Sequence, residues 1–126
     1  MNSQLPTYSD VAAAAKRIRG YVETTPVLRS DRLDEIAGAS LLIKAECLQQ
    51  TGSFKLRGAT NRLLQIPKDD QYKGVVAFSS GNHAQGIARA ARLLEMPALI
   101  VMPSDAPSVK IEGVEADGAE VRLYDR

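Results

Sequence analysis

The sequence predicts an α/β fold in which a parallel sheet carries helices on both faces. From residue 74 to residue 124, apolar runs short enough for strands alternate with segments of helical periodicity. These runs are uniformly apolar, as in strands that are buried on both faces. The composition, 44% hydrophobic and 25% charged over 126 residues, is that of a globular domain with room for one core.

The N-terminal third predicts two helices and two extended segments. Thr7 and Asp10 fit a capping box, and apolar residues then recur at helical spacing up to residue 22. The segment before and after Pro26 is expected to be extended, because the residue preceding a proline disfavours helix. A second helix is predicted from residue 31 to Gly38, with three side chains facing inward: Leu33, Ile36 and Ala37. Residues 40–45 predict a strand.

The middle of the chain predicts a helix that begins beside Lys55. Ser53 is a candidate N-cap, and apolar residues follow at helical spacing: Leu56, Ala59, Leu63 and Ile66. Lys55 would then lie in the first turn, where the helix dipole disfavours a second positive charge. The neighbouring Phe54 would desolvate the amine, so both features favour the neutral form that a nucleophile requires. The polar residues 68–73 predict a surface loop.

The last fifty residues predict three strands and two helices. The strands are expected at residues 75–78, 97–102 and 119–124, and the helices after Gly81 and from Pro107 to Asp117. We call residues 79–86, Ser-Ser-Gly-Asn-His-Ala-Gln-Gly, the serine loop. It would lie at the carboxyl end of a strand, where ligands bind in α/β sheets. Its N–H groups and the following helix N-terminus predict a site for a carboxylate or phosphate.

The charge and cysteine content limit the function. A net charge of +1 without a basic tract predicts no binding to nucleic acid or to an anionic membrane. The sequence shows neither a signal-peptide pattern nor 18 consecutive apolar residues, so we expect a cytoplasmic protein. The single Cys47 and single His83 argue against a zinc cluster, and Cys47 is expected to be buried. No strand is followed by G-x-G-x-x-G, which argues against dinucleotide binding.

Two motifs resemble a known family. They are Ser53-Phe54-Lys55 followed by Arg57-Gly58-Ala59, and the serine loop. Together they resemble the fold-type II pyridoxal-phosphate enzymes, in the branch of serine/threonine dehydratases, hydroxyaspartate dehydratases and serine racemases. Sulfhydrylases and threonine synthases of the same superfamily typically differ at the positions of Leu56 and His83.

The resemblance implies roles for individual residues. Lys55 would hold pyridoxal 5'-phosphate as a Schiff base and then act as general base at the substrate Cα, and Phe54 would pack beside the cofactor ring. Asn82 would bond the 3-hydroxyl oxygen of the pyridine. The substrate carboxylate would contact the serine loop through Ser79, Ser80, Gly81, Asn82 and His83. Ser80 also resembles the residue that, in racemases, exchanges the Cα proton on the opposite face.

The resemblance further implies an ammonia-lyase acting on threonine, serine or 3-hydroxyaspartate. The product would be a 2-keto acid, and the complete protein would be a homodimer or higher homo-oligomer. Two alternatives stay open: an amino-acid racemase of the same family, and a non-catalytic α/β binding module.

The resemblance also implies a division of the chain. Residues 1–45 would belong to a large domain, and residues 46–126 to a small α/β domain that is incomplete at its C-terminus. The family chain has roughly 300 residues, more than one typical domain. Its phosphate-binding loop and the residue facing the pyridine nitrogen have no counterpart here. We therefore expect the 126-residue chain to be a fragment that is inactive alone.

Overall fold

The computed structural model describes residues 5–126. The N-terminal part contains helix α1 (Tyr8–Arg17), strand β1 (Val27–Leu28), helix α2 (Asp31–Ala37), strand β2 (Ile43–Lys44) and a 3-10 turn (Glu46–Leu48). The remainder contains helices α3 (Lys55–Leu63) and α4 (Lys68–Gln71), strand β3 (Val75–Phe78), helix α5 (Asn82–Leu93), strand β4 (Ala98–Pro103), helix α6 (Ser108–Ala116) and strand β5 (Glu120–Tyr124). No helix of residues 5–126 is long and apolar enough to cross a membrane.

The three strands predicted after residue 74 form one parallel sheet in the order β3-β4-β5. Ala77 pairs with Ile100, and Ile100 pairs with Val121, on the face that meets the helices. Val76 and Phe78 point to the other face and are 72% and 67% exposed. The predicted parallel sheet with helices is therefore confirmed. That helices also pack on the second face stays a prediction, because Val76 and Phe78 are exposed there in residues 5–126.

The core lies between the sheet and helices α3, α5 and α6. The side chains of Leu56, Ile100 and Met102 are fully buried, and each such burial stabilises the fold by about 1.5–3 kcal/mol. Helix α5 contributes mainly small buried residues: Ala84, Gly86, Ala88, Ala90 and Ala91, with Ile87 among them. Small side chains let α3 approach α5 closely, so the two helices that carry the motifs are packed against each other.

The predicted capping box at the start of the chain is confirmed. The Thr7 N–H donates to the Asp10 carboxylate at 2.7 Å, and the Thr7 hydroxyl donates to the same oxygen at 2.8 Å. The first of these contacts gives the Thr7 N–H a hydrogen-bond partner, as expected for a capping box.

Several local predictions are wrong. Residues 68–71 form helix α4 instead of a loop, with Asp69 and Asp70 in the favourable first turn. The three α2 residues predicted to face inward are exposed, namely Leu33, Ile36 and Ala37, and Cys47 is exposed instead of buried. The strand predicted at residues 40–45 shrinks to β2, which pairs antiparallel with β1.

Candidate active site at the start of helices α3 and α5

Lys55 is the first residue of α3, so its predicted place in a first helical turn is confirmed. The N-cap is Phe54 instead of Ser53, and no side chain caps this helix. Ser53 is buried, and its Oγ accepts a long hydrogen bond from the Lys55 N–H at 3.4 Å. The predicted cap thus contributes one weak contact, and the positive end of α3 stays open toward the side on which Lys55 lies.

The serine loop follows the carboxyl end of β3, as predicted. The Ser79 N–H donates to the Val101 carbonyl oxygen at 3.1 Å, which continues the sheet pairing by one residue. The Gly81 N–H then donates to Ser79 Oγ at 3.3 Å, and α5 begins at Asn82. Ser79, Ser80 and Gly81 are half-buried, whereas Asn82 and His83 are exposed. The loop therefore offers hydroxyl groups beside the unpaired N–H groups of a helix N-terminus, which together can bind an anion.

Gly86 brings the two motifs together. A Cβ atom placed on Gly86 would lie 3.0 Å from the Lys55 carbonyl carbon, 3.2 Å from the Leu56 nitrogen and 3.2 Å from Lys55 Cβ. Such distances are below normal van der Waals contact, so a Cβ at position 86 would require α3 and α5 to move apart by a few tenths of an ångström. The backbone of Lys55 consequently rests against the second turn of the serine-loop helix.

A cavity of about 410 Å³ lies beside this contact. Lys55, Phe54 and His83 line it together with Arg62, and apolar residues of α3, α5 and β3 complete the wall: Gly58, Ala59, Val76, Ala77, Phe78 and Ile87. The volume lies within the range of about 300–1,000 Å³ that is usual for small-molecule sites.

The predicted site residues divide into two groups around this cavity. Phe54, Lys55 and His83 share its wall, and Lys55 Nζ lies 5.0 Å from the centre of the Phe54 ring. Ser79, Ser80, Gly81 and Asn82 are outside the cavity lining, on the adjoining loop. The first group therefore lies in the cavity wall, and the second group lies next to the cavity at the start of α5. The roles assigned to both groups stay predictions.

An ion pair two residues beyond Lys55 anchors the start of α3. Arg57 donates to both carboxylate oxygens of Glu46 at 2.8 Å and to the Glu23 carbonyl at 3.0 Å, and the Thr25 hydroxyl donates to Glu46 at 2.5 Å. The hydrogen bonds from Arg57, opposed by partial burial, lower the pKa of Glu46 from 4.5 to about 2. This network fixes α3 to the N-terminal segment. In the sequence, Arg57 was identified only as part of a motif. Nothing except its position after a predicted strand distinguished Glu46 from the other acidic residues.

Asn82 has a partner that the sequence analysis did not identify. Its side-chain oxygen accepts a hydrogen bond from Lys110 Nζ of α6 at 2.7 Å, and the same ammonium donates to Gln85 at 2.9 Å. Lys110 is one of many lysines and lies 28 positions away, so only the packing of α6 on α5 reveals the contact. Residues 5–126 contain no group of three His, Cys, Asp or Glu side chains that could bind a metal ion.

A lysine beside a helix N-terminus at the carboxyl end of a parallel strand is the arrangement in which α/β proteins bind small molecules. The family model described as "Pyridoxal-phosphate dependent enzyme" matches residues 18–126. The chain therefore belongs to the family of pyridoxal-phosphate dependent enzymes, as its two motifs predict.

Relatives with named activities agree with this assignment. The L-threo-3-hydroxyaspartate ammonia-lyase of Pseudomonas sp is 56% identical over 123 residues, which are 98% of this chain and 39% of that protein. The crystal structure of serine racemase from Dictyostelium discoideum matches with a TM-score of 0.90 at 42% identity, over 94% of this chain and 39% of that one. The crystal structure of the T.th. threonine deaminase matches with a TM-score of 0.82 at 50% identity, over 96% and 37%. The chain thus spans less than two fifths of these relatives.

The residues of the cavity fit one end of the family cofactor, pyridoxal 5'-phosphate. Lys55 supplies the primary amine that a carbonyl group requires, and the cavity has room for a small aromatic ring. Val76, Phe78 and Ile87 are apolar residues of the cavity lining that the ring can contact. Residues 5–126 contain no second glycine-rich loop for the phosphate, so the fit concerns the ring and carbonyl end.

Proposed function

We propose that the protein is a pyridoxal-phosphate dependent ammonia-lyase of hydroxy amino acids. The substrate would be 3-hydroxyaspartate, threonine or serine, and the products a 2-oxo acid and ammonia. The β-hydroxyl leaves as water, and one water is consumed when ammonia is released. The observation that carries the proposal is the contact of Lys55 with the serine-loop helix at Gly86, beside a cavity of about 410 Å³. The names of the ammonia-lyase relatives support the substrate class.

The cofactor, when bound, withdraws electrons from the substrate Cα and makes the Cα proton acidic. In the proposed reaction Lys55 would hold the cofactor through its amine, and the same Nζ would accept the proton from the substrate Cα. Phe54, whose ring centre lies 5.0 Å from Nζ, limits the directions that the amine can take. Lys55 is half-buried and lines the cavity.

The serine loop would bind the substrate carboxylate. Ser79 and Ser80 are half-buried and present hydroxyl donors, and the first turn of α5 presents unpaired N–H groups. His83 lies in both the first turn of α5 and the cavity wall, so it would join the two parts of the site. Asn82 would donate its side-chain NH2 group to the cofactor ring oxygen.

Lysine replacement in the full-length protein tests the proposal. Wild-type protein should show the visible absorbance of lysine-bound cofactor and form 2-oxo acid from at least one of L-threo-3-hydroxyaspartate, L-threonine and L-serine. Lys55→Ala should abolish both signals, whereas Lys68→Ala on the exposed helix α4 should leave both unchanged. Wild-type absorbance that persists in Lys55→Ala would refute the role of Lys55. Absence of 2-oxo acid formation from all three substrates would refute the proposed activity.

A racemase is the second candidate, because serine racemases are similar over nearly the whole chain and Ser80 of the serine loop resembles the residue that exchanges the Cα proton in racemases. In that reaction the Ser80 hydroxyl would return a proton to Cα on the face opposite Lys55. Ser80→Ala should then stop the interconversion of D- and L-serine. Racemisation at the wild-type rate in Ser80→Ala would exclude that role for Ser80.

We also infer the domain division at residues 45 and 46, supported by a core cluster whose buried members all lie between Leu56 and Ala119. Hydrogen exchange of the full-length protein should then show residues 46–126 opening as a unit separate from the residues before them. We further propose that the complete protein is a homo-oligomer and lies in the cytoplasm. Analytical ultracentrifugation tests the oligomeric state, and cell fractionation tests the location.

A further inference from the structure

Helix α6 presents two residues, one turn apart, to the first turn of α5. Lys110 Nζ donates to Asn82 Oδ1 at 2.7 Å and to Gln85 Oε1 at 2.9 Å. Gly113 lies against the other end of Gln85, since a Cβ placed on Gly113 would be 2.4 Å from Gln85 Nε2. Asn82 and Gln85 are three positions apart and so share one face of α5. The two amide side chains are therefore held from outside by a neighbouring helix.

The chemistry of an ammonium group decides how the Asn82 amide is turned. A lysine ammonium has three donors and no acceptor, so the amide atom that faces Lys110 must be the oxygen. The NH2 group of Asn82 is then left free to donate to another partner. Without Lys110, an exposed asparagine could present either end, because the two orientations differ little in shape.

We propose that Lys110 is a positioning residue of the site, which fixes the carboxamide of Asn82 so that its NH2 group is offered to the bound ligand. The inference rests on the proposed function, in which that NH2 group bonds the ring oxygen of the cofactor. Lys110 itself touches neither cofactor nor substrate and acts through Asn82.

The charge of Lys110 supports this role. None of the ion pairs within residues 5–126 includes Lys110, whose ammonium contacts two neutral amides instead. It lies at the positive end of α5, where a further cation is electrostatically unfavourable unless an anion is present. A ligand carboxylate or ring oxygen at the serine loop would supply that negative charge. The ammonium and the helix N-terminus therefore favour the same ligand.

Three variants of the full-length protein test the inference. Lys110→Met keeps the length of the side chain and removes the donor, Lys110→Arg keeps a cation, and Lys68→Met removes an exposed lysine from α4 as a charge control. The dissociation constant of pyridoxal 5'-phosphate is measured by absorbance titration. Lys110→Met should weaken binding about tenfold, because the cofactor must then order the Asn82 side chain itself. Lys110→Arg should recover most of this loss, and Lys68→Met should bind as the wild type does.

A double substitution separates positioning from a general effect on folding. Asn82→Asp lacks the NH2 group but adds a charge that Lys110 would neutralise, so it does not isolate positioning. The background for the double substitution is therefore Asn82→Ala, which has neither an amide for Lys110 to orient nor a new charge, and there Lys110→Met should weaken cofactor binding by less than about twofold, although the single Lys110→Met costs about tenfold. Equal losses in both backgrounds would overturn the inference, as would wild-type binding by Lys110→Met.

A second measurement keeps the inference independent of the proposed function. The side-chain 1H-15N signals of Asn82 in cofactor-free protein should be sharp in the wild type and in Lys68→Met, and shifted or broadened in Lys110→Met. If the wild type fails to bind pyridoxal 5'-phosphate, the proposed function fails, and these signals alone decide whether Lys110 holds Asn82. Unchanged Asn82 signals in Lys110→Met would overturn the positioning role.

Discussion

Replacing Glu46 by glutamine should destabilise the fold by about 2 kcal/mol at neutral pH. Lowering the pKa of Glu46 from 4.5 to about 2 corresponds to about 3 kcal/mol, since a tenfold change in acidity is about 1.4 kcal/mol. The side chains of Glu46 and Arg57 are 16% and 28% exposed, so water screens part of the interaction. Glutamine keeps an acceptor for Arg57 and the Thr25 hydroxyl but loses the charge.

The effect of the substitution should depend on pH in a defined direction. The folded-state pKa of Glu46 lies below its unfolded value, so its contribution is complete above about pH 4.5 and is lost as the pH falls toward 2. The free energy of unfolding of wild type and Glu46→Gln should therefore differ by a constant amount between about pH 5 and pH 7. The difference should shrink below pH 4.5 and vanish near pH 2.

Urea unfolding of the full-length protein at several pH values measures this difference. Glu35→Gln, which removes an exposed carboxylate from α2, is the matched control and should change the unfolding free energy by less than about 0.5 kcal/mol at every pH. A Glu46→Gln protein as stable as the wild type at neutral pH would contradict the assigned ion pair. A difference that grows as the pH falls would contradict the sign of the pKa shift.

Three further substitutions test the packing around the site. Gly86→Ala should displace Lys55 and weaken cofactor binding about three- to tenfold, as measured by absorbance titration. Alanine in a helix normally stabilises by about 1 kcal/mol relative to glycine, and thermal melting measures this separate effect. Asp117→Asn should lower the unfolding free energy by about 1.5–3 kcal/mol in urea, because the buried Asp117 carboxylate accepts from Arg89 at 2.6 Å. Ile100→Ala should cost about 2–5 kcal/mol in the same assay, since Ile100 is fully buried, and a cost below about 1 kcal/mol would place it outside the core.

The elements with the strongest apolar periodicity were predicted correctly because their packing follows from local pattern. Helix α5 and the strands on either side of it are examples, since Ile87 and Ile100 are buried as their spacing indicates. Helix α4 was missed because a single polar turn has no periodicity and forms through favourable first-turn charges such as Asp69. Ile36 was expected to be inward from its helical spacing, yet it is exposed because no other element of residues 5–126 covers it.

The candidate site was predicted in its components and not in its contacts. Lys55 and the serine loop were identified because their residue types and surrounding pattern carry a chemical meaning. Their approach at Gly86, the anchor between Arg57 and Glu46, and the contact from Lys110 to Asn82 all join residues on separate elements. Such contacts depend on how helices cross, which a single sequence does not specify.

The exposed face of the sheet affects the solubility of residues 5–126 when they are expressed alone. Phe78 stacks against Tyr124 at 5.4 Å between ring centres, and with Val76 the two rings form an apolar patch in contact with water. Val76 and Phe78 lie on β3, which is an edge strand of this sheet and has one row of backbone groups unpaired by the strands of residues 5–126. An exposed apolar patch next to an unpaired strand edge promotes aggregation and precipitation. Residues 5–126 expressed alone are therefore expected to need solubilising additives or a fusion partner.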